Sequence, residues 1–184
     1  MKRLLLPVAG AALVFAAVNA EADVVNNAGG TISLTGSILQ SSCTVDANDQ
    51  TKPVVLGNYS TDTFKKTGDQ TPDVPFTIKL TGCAKSAGNY GLRFDGTTVN
   101  NNPNLLSAGV GEALGVGVEF SGVGDKLITF NQAADEATWQ PASNAAPGTP
   151  DTTTFNLKAH YKSFTDKVTA GDANATVKFV IAYK

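Results

Sequence analysis

Few residues in this 184-residue chain are of types that do chemistry, and their spacing limits what they can do. The chain holds one histidine, His160, and two cysteines, Cys43 and Cys83. A structural zinc site takes about four nitrogen or sulfur ligands, which this set cannot supply. His160 lies between Lys158 and Lys162 on the polar face of an alternating segment, where it reads as a solvated surface histidine rather than a general base. Asp135 and Glu136 are adjacent carboxylates. Neighbours on a strand or loop point apart, so they do not form the facing pair of a glycosidase. Gly109-Val110-Gly111 and Gly115-Val116-Gly117 look like fragments of a phosphate loop, but neither opens a strand–loop–helix unit. No serine sits in a nucleophile motif. These residues argue against an enzyme and call for no metal or cofactor. The cysteines form no CxxC pair, which argues against redox work. In an exported chain an even count suggests a disulfide, and two cysteines allow one pairing, Cys43–Cys83. Its closed loop of about forty residues would stabilise the fold by ~3–4 kcal/mol on the chain-entropy estimate.

Export is expected from the N-terminus. Lys2-Arg3 precede an apolar run from Leu4 to Val18 and then small residues, the pattern of a secretory signal peptide. The run is short for a transmembrane span. Cleavage after Ala20 or after Ala22 satisfies the small-x-small rule. The second leaves Asp23 as the first mature residue and 162 of the 184 residues. The mature chain then carries 12 basic and 15 acidic residues, a net charge of −3. No basic face exists to attract nucleic acid.

Hydrophobic alternation points to strands throughout. Ile32 and Leu34 alternate with Ser33 and Thr35. Phe76, Ile78 and Leu80 lead to Cys83. Leu92 and Phe94 precede an expected Asp95-Gly96 turn. Leu114, Val116, Val118 and Phe120 form a further set, followed by Leu127, Ile128 and Phe130, and by Phe155, Leu157, Ala159 and Tyr161. Gly, Asn, Asp and Pro clusters separate these runs. Asn100–Pro103 and Pro141–Thr154 read as exposed loops. Short strands at this spacing suggest an antiparallel sandwich.

The last strand is the most telling. Val177, Phe179, Ile181 and Tyr183 alternate with Lys178, Val180 and Ala182 up to Lys184. An apolar strand with an uncovered edge invites another chain to add to it.

With these residues in view, the chain resembles the structural pilins of the type 1 fimbrial family, assembled by the chaperone–usher pathway. Gly29-Gly30-Thr31-Ile32-Ser33-Leu34-Thr35-Gly36 precede Cys43-Thr44-Val45. Val54-Val55-Leu56-Gly57 and Phe76 to Leu80 follow, the latter leading to Cys83. A glycine fourteenth from the end, Gly171, and a penultimate aromatic, Tyr183, complete the pattern. The resemblance implies an all-β, incomplete immunoglobulin-like sandwich that lacks its C-terminal strand and is completed by donor-strand complementation. It divides the chain into a signal peptide at 1–22, a donor-strand extension at 23–36 and a pilin domain at 37–184. The donor residues would be Ala28, Gly30, Ile32 and Leu34. Gly171, Val177, Phe179, Ile181 and Tyr183 would form the acceptor groove and the surface recognised by chaperone and usher. The implied partners are further copies of the chain, sibling fimbrial subunits, a periplasmic chaperone and an outer-membrane usher. The protein would pass through the periplasm to an extracellular fimbria.

Two other readings stay open at this point. One is a minor adaptor subunit of the fimbria. The other is a secreted, monomeric carbohydrate-binding sandwich with Trp139 and Tyr90 as sugar-stacking platforms.

Overall fold

The computed structural model describes residues 30–36, 43–83, 88–99, 101–109, 115–141 and 151–184. The expected signal peptide and Ala28 lie outside these residues. The chain divides into two units, Met1–Ser37 and Ile38–Lys184. In the first, residues 30–36 form no strand, and the side chains of Ile32 and Leu34 are exposed. The strand expected there from the alternation of Ile32 and Leu34 is therefore not formed. A lone segment has no ladder partner to satisfy its backbone.

The second unit is built from antiparallel strands, with two short 3-10 turns and no α-helix among the described residues. The strands are β1 (Thr44–Val45), β2 (Val74–Thr81), β3 (Asn89–Gly96), β4 (Thr98–Val99), β5 (Asn102–Ser107), β6 (Val116–Ser121), β7 (Gln140–Pro141), β8 (Thr152–Ser163) and β9 (Val177–Tyr183). They form two sheets, one in the order β1-β2-β8-β6-β5-β4 and the other β7-β3-β9. Alternation sends one face of each strand inward. Ile78 and Leu80 of β2, Leu92 and Phe94 of β3, Leu106 of β5, Val118 and Phe120 of β6, and Phe155 and Leu157 of β8 join in one core. Phe120 is its hub. Its ring meets Phe76 and Phe130 at 5.4 Å and, across the two sheets, Phe94 at 5.7 Å, all edge-on. Edge-to-face contacts of this kind add about 0.5–1.5 kcal/mol each beyond area burial.

Several local expectations change. Residues 127–130 make a single bridge, Ser121 to Leu127, instead of a strand. Ile128 and Phe130 still plunge into the core, and their amides are satisfied by Phe120 O and Pro103 O at 2.9 Å each. The segment crosses several strands rather than following one. Asp95-Gly96 is no turn either. β3 runs to Gly96, opposite Val177, and the Asn131 amide brackets Gly96 N (3.0 Å) and O (2.8 Å), standing in for a ladder partner. The expected loop at 100–103 gives way to β5 at Asn102, after a positive-φ Asn101 (61°). β8 begins at Thr152, inside the loop expected up to Thr154, because Thr152–Thr154 pair with Thr81, Leu80 and Lys79.

Cys43 and Cys83 are joined in a disulfide, with their Cα atoms 4.3 Å apart. The bond ties the entry to β1 to the exit from β2. Asp49 strengthens the same corner. Its carboxylate is buried, accepts Lys79 N at 2.7 Å and meets Lys52 Nζ at 2.5 Å. Reduction of the disulfide, or the double substitution Cys43→Ser/Cys83→Ser, is expected to cost ~3–4 kcal/mol. Guanidinium unfolding of oxidised and reduced protein measures this.

Candidate functional site

Among the described residues β9 is an edge strand whose ladder partner is β3. Their register sets Gly96 against Val177, Phe94 against Phe179, Leu92 against Ile181 and Tyr90 against Tyr183. Val177, Phe179 and Ile181 pack on the core, while Lys178 and Val180 face outward. Tyr183 follows the inward phase. It is exposed, and its ring meets the buried Tyr90 ring edge-on at 5.5 Å. β9 thus presents an apolar inner face and a backbone edge.

Along β9 runs a cleft of about 700 Å³. Its rims are Val45, Gln50–Lys52, Val54 and Leu56 on one side and Ala173–Val180 on the other. Its floor is the core itself: Ile78, Phe94, Leu106, Val118, Phe120 and Ala159 all line it. A second cleft of about 630 Å³ adjoins it, sharing Val54, Leu56, Tyr161, Ala173 and Asn174. It continues past Tyr59, Phe64, Val168 and Gly171. Tyr161 stands where the two meet. Its hydroxyl donates to Ala173 O at 2.9 Å, and its ring meets Tyr59 edge-on at 6.3 Å. Burial, with Tyr59 close by, pushes the Tyr161 phenol above its ordinary value, so it stays a neutral donor. Gly109 N donates to Asn174 O, which fixes the 173–175 rim to the β5 side.

Of the acceptor residues expected from sequence, Val177 and Phe179 line the first cleft and Gly171 lines the second. Ile181 packs on the core further along β9. Sequence reasoning missed the floor and the far rim. Val54 and Leu56 carried a signal, since they alternate around the exposed Val55.

The residues considered for chemistry are used by the fold. Asp135 accepts Thr129 N at 3.0 Å and Ala137 N at 2.9 Å, while Glu136 turns away to Lys126 at 2.8 Å. Trp139 lies on β3 over Gly91, where a Cβ would sit 2.9 Å from the indole, and its Nε1 donates to Ala134 O at 3.1 Å. Tyr90 is fully buried. Neither ring is a free platform. Gly117 serves packing rather than phosphate, since a Cβ there would sit 2.5 Å from Leu105.

His160 requires a correction. It keeps the polar face, but it is buried at 6% exposure rather than solvated. Glu119 is its cross-strand partner on β6, and Asp73 approaches from the segment before β2.

Residues 32–184 match the family described as Fimbrial protein. The whole chain aligns with the whole of a type-1 fimbrial protein subunit of Serratia marcescens at 42% identity over 190 residues. The chain belongs to the fimbrial protein family. It is a structural fimbrial subunit with an immunoglobulin-like fold. The fold resembles the P pilus rod subunit PapA at TM-score 0.66 and 18% identity, covering 78% of this chain and all of that one. It also resembles a subunit of a chaperone–usher pilus solved for its rod uncoiling, at TM-score 0.60 and 19% identity, over 89% of this chain and all of that one.

Replacing Tyr161 by Phe removes the bond to Ala173 O and is expected to cost ~0.5–1.5 kcal/mol. Hydrogen exchange should show faster opening at 173–175, with the rest of the sandwich unchanged.

Proposed function

We propose that this subunit polymerises by donor-strand exchange. Ala28, Gly30, Ile32 and Leu34 of one copy form a strand that lies beside β9 of the next. Strand addition to a sheet edge is a general mode of recognition, and pilin complementation is its standing example. The observation that carries the reading is the cleft floored by Phe94, Leu106, Val118 and Phe120 and bordered by the edge of β9. The exposure of Ile32 and Leu34, at 85% and 91%, supports it from the donor side. Residues at i and i+2 of a strand share one face, so both side chains enter the apolar cleft while the backbone ladders with β9. Burying the two contributes ~3–6 kcal/mol, as an upper bound. The contact is head-to-tail and does not close, so it generates a filament.

The finer steps follow from the same reading. Residues 1–22 direct export and are removed. A periplasmic chaperone covers the cleft until a second subunit's segment 23–36 replaces it, and an outer-membrane usher passes domain 37–184 to the cell surface. Gly171, Val177, Phe179, Ile181 and Tyr183 form the recognised edge. The role is structural rather than catalytic.

The test is an unboiled denaturing gel of protein exported together with its chaperone and usher. A ladder of regular multiples that collapses on boiling is expected. Ile32→Asp/Leu34→Asp should abolish the ladder and leave the chaperone complex intact. Normal fibres from that variant would overturn the donor assignment.

A further inference from the structure

His160 lies on the outer face of the large sheet, away from the cleft, in a cluster that assembly does not explain. Its Nδ1 is 2.9 Å from Asp73 Oδ1, and its Nε2 is 3.3 Å from Glu119 Oε1. The second contact is close but not well aligned as a hydrogen bond. Glu119 is itself buried and accepts from Lys162 Nζ at 2.8 Å. The three elements come from different parts of the chain: β8, β6 and the segment entering β2.

A neutral imidazole has one N–H and one lone pair. With a carboxylate at each nitrogen, it satisfies one and turns its lone pair toward the other. An imidazolium donates to both. We propose that Asp73, His160, Glu119 and Lys162 form a proton-operated cross-strand staple, which fastens β8 to both β6 and the start of β2 when His160 is protonated and releases one tie when it is neutral.

The surrounding charges agree. From β8, Lys158 and Lys162 flank His160. Lys158 is held by Asp125 at 2.5 Å and stands 3.7 Å from Asp73, while Lys162 is held by Glu119. From the segment before β2, Asp69 spends its carboxylate on the Lys65 and Lys66 amides and leaves Asp73 as the facing anion. The Glu119 carboxylate, against the opposing effect of burial and together with Asp73, holds the His160 imidazolium above its ordinary value of 6.5. Burial pushes the Glu119 carboxyl up, but its contacts with His160 and Lys162 outweigh this and hold it below 4.5. The histidine contribution is therefore complete below about pH 6.5 and lost as pH rises through its folded value. The glutamate contribution is present above about pH 4.5 and lost as pH falls through its folded value. The staple is strongest in mild acid.

The chain has a single histidine, so one imidazole reports the site without ambiguity. Ordinary Asp, Glu, Lys and Tyr side chains titrate outside pH 5.5–8.5. Exported protein labelled with 15N-histidine should titrate with a midpoint above 6.5, and Asp73→Asn should lower that midpoint. Guanidinium unfolding should show greater stability at pH 5.5 than at 8.5, by about tenfold in the folding equilibrium per unit that the midpoint exceeds 6.5. His160→Gln should lose most of that difference. A midpoint at or below 6.5, or a wild type no more stable at pH 5.5, overturns the proposal. If His160→Gln does not fold, Asp73→Asn carries the same comparison, because Asp73 is exposed.

Discussion

The rest of this subunit depends on an apolar core that is accessible beside β9. Two sheets share the core, yet Phe94, Leu106, Val118 and Phe120 also line a cleft along one edge of the smaller sheet. Water can satisfy the backbone groups at the rim of β9, but not the apolar floor beneath them. Hydrophobic burial therefore supplies the drive to cover the cleft. The ladder supplies direction and register, because a slip of one residue turns every side chain to the wrong face. A single extended segment with apolar residues at alternate positions meets both needs at once.

Fixed walls favour binding in any cleft, since order already present need not be supplied on binding. One rim is held by the Cys43–Cys83 bond and by Asp49, which together bind the 43–52 segment to β2. The other is held by the bond from Tyr161 to Ala173 and the bond from Gly109 to Asn174. These fastenings cross the direction of the strands, so they set the width of the opening rather than the register of either sheet. Tyr161 belongs to both functions, as a wall shared by two clefts and as an anchor for the rim.

The opposite face of the large sheet has a different character. There Glu119 and His160 are nearly as buried as the core and face each other across the β6–β8 ladder. A buried ion pair is weak evidence of net stability, because desolvation offsets much of the attraction. The cluster does link distant segments: a carboxylate on β6 and another before β2 approach one imidazole on β8. The cleft leaves apolar surface open, whereas this cluster closes on itself.

The sequence by itself determined the inward and outward phase of the principal strands. Val177, Phe179 and Ile181 face the core, as do Ile78, Leu80, Phe155 and Leu157, because a period of two sorts a half-buried strand without reference to its neighbours. The cysteine pairing was legible for a similar reason, since two cysteines allow one bond. Only the tertiary structure decided what each side chain meets. Alternation alone could not show that Ile128 and Phe130 enter the core from a crossing segment rather than a strand, or that β3 continues through Asp95-Gly96. It placed His160 on the polar face but not under cover, because burial there depends on Glu119 and Asp73, forty-one and eighty-seven residues away in the chain. The cleft floor is the clearest case. Phe94, Leu106, Val118 and Phe120 look like ordinary core residues in sequence, and what makes them the floor of a cleft is the open space above them, which exists only once two sheets have packed.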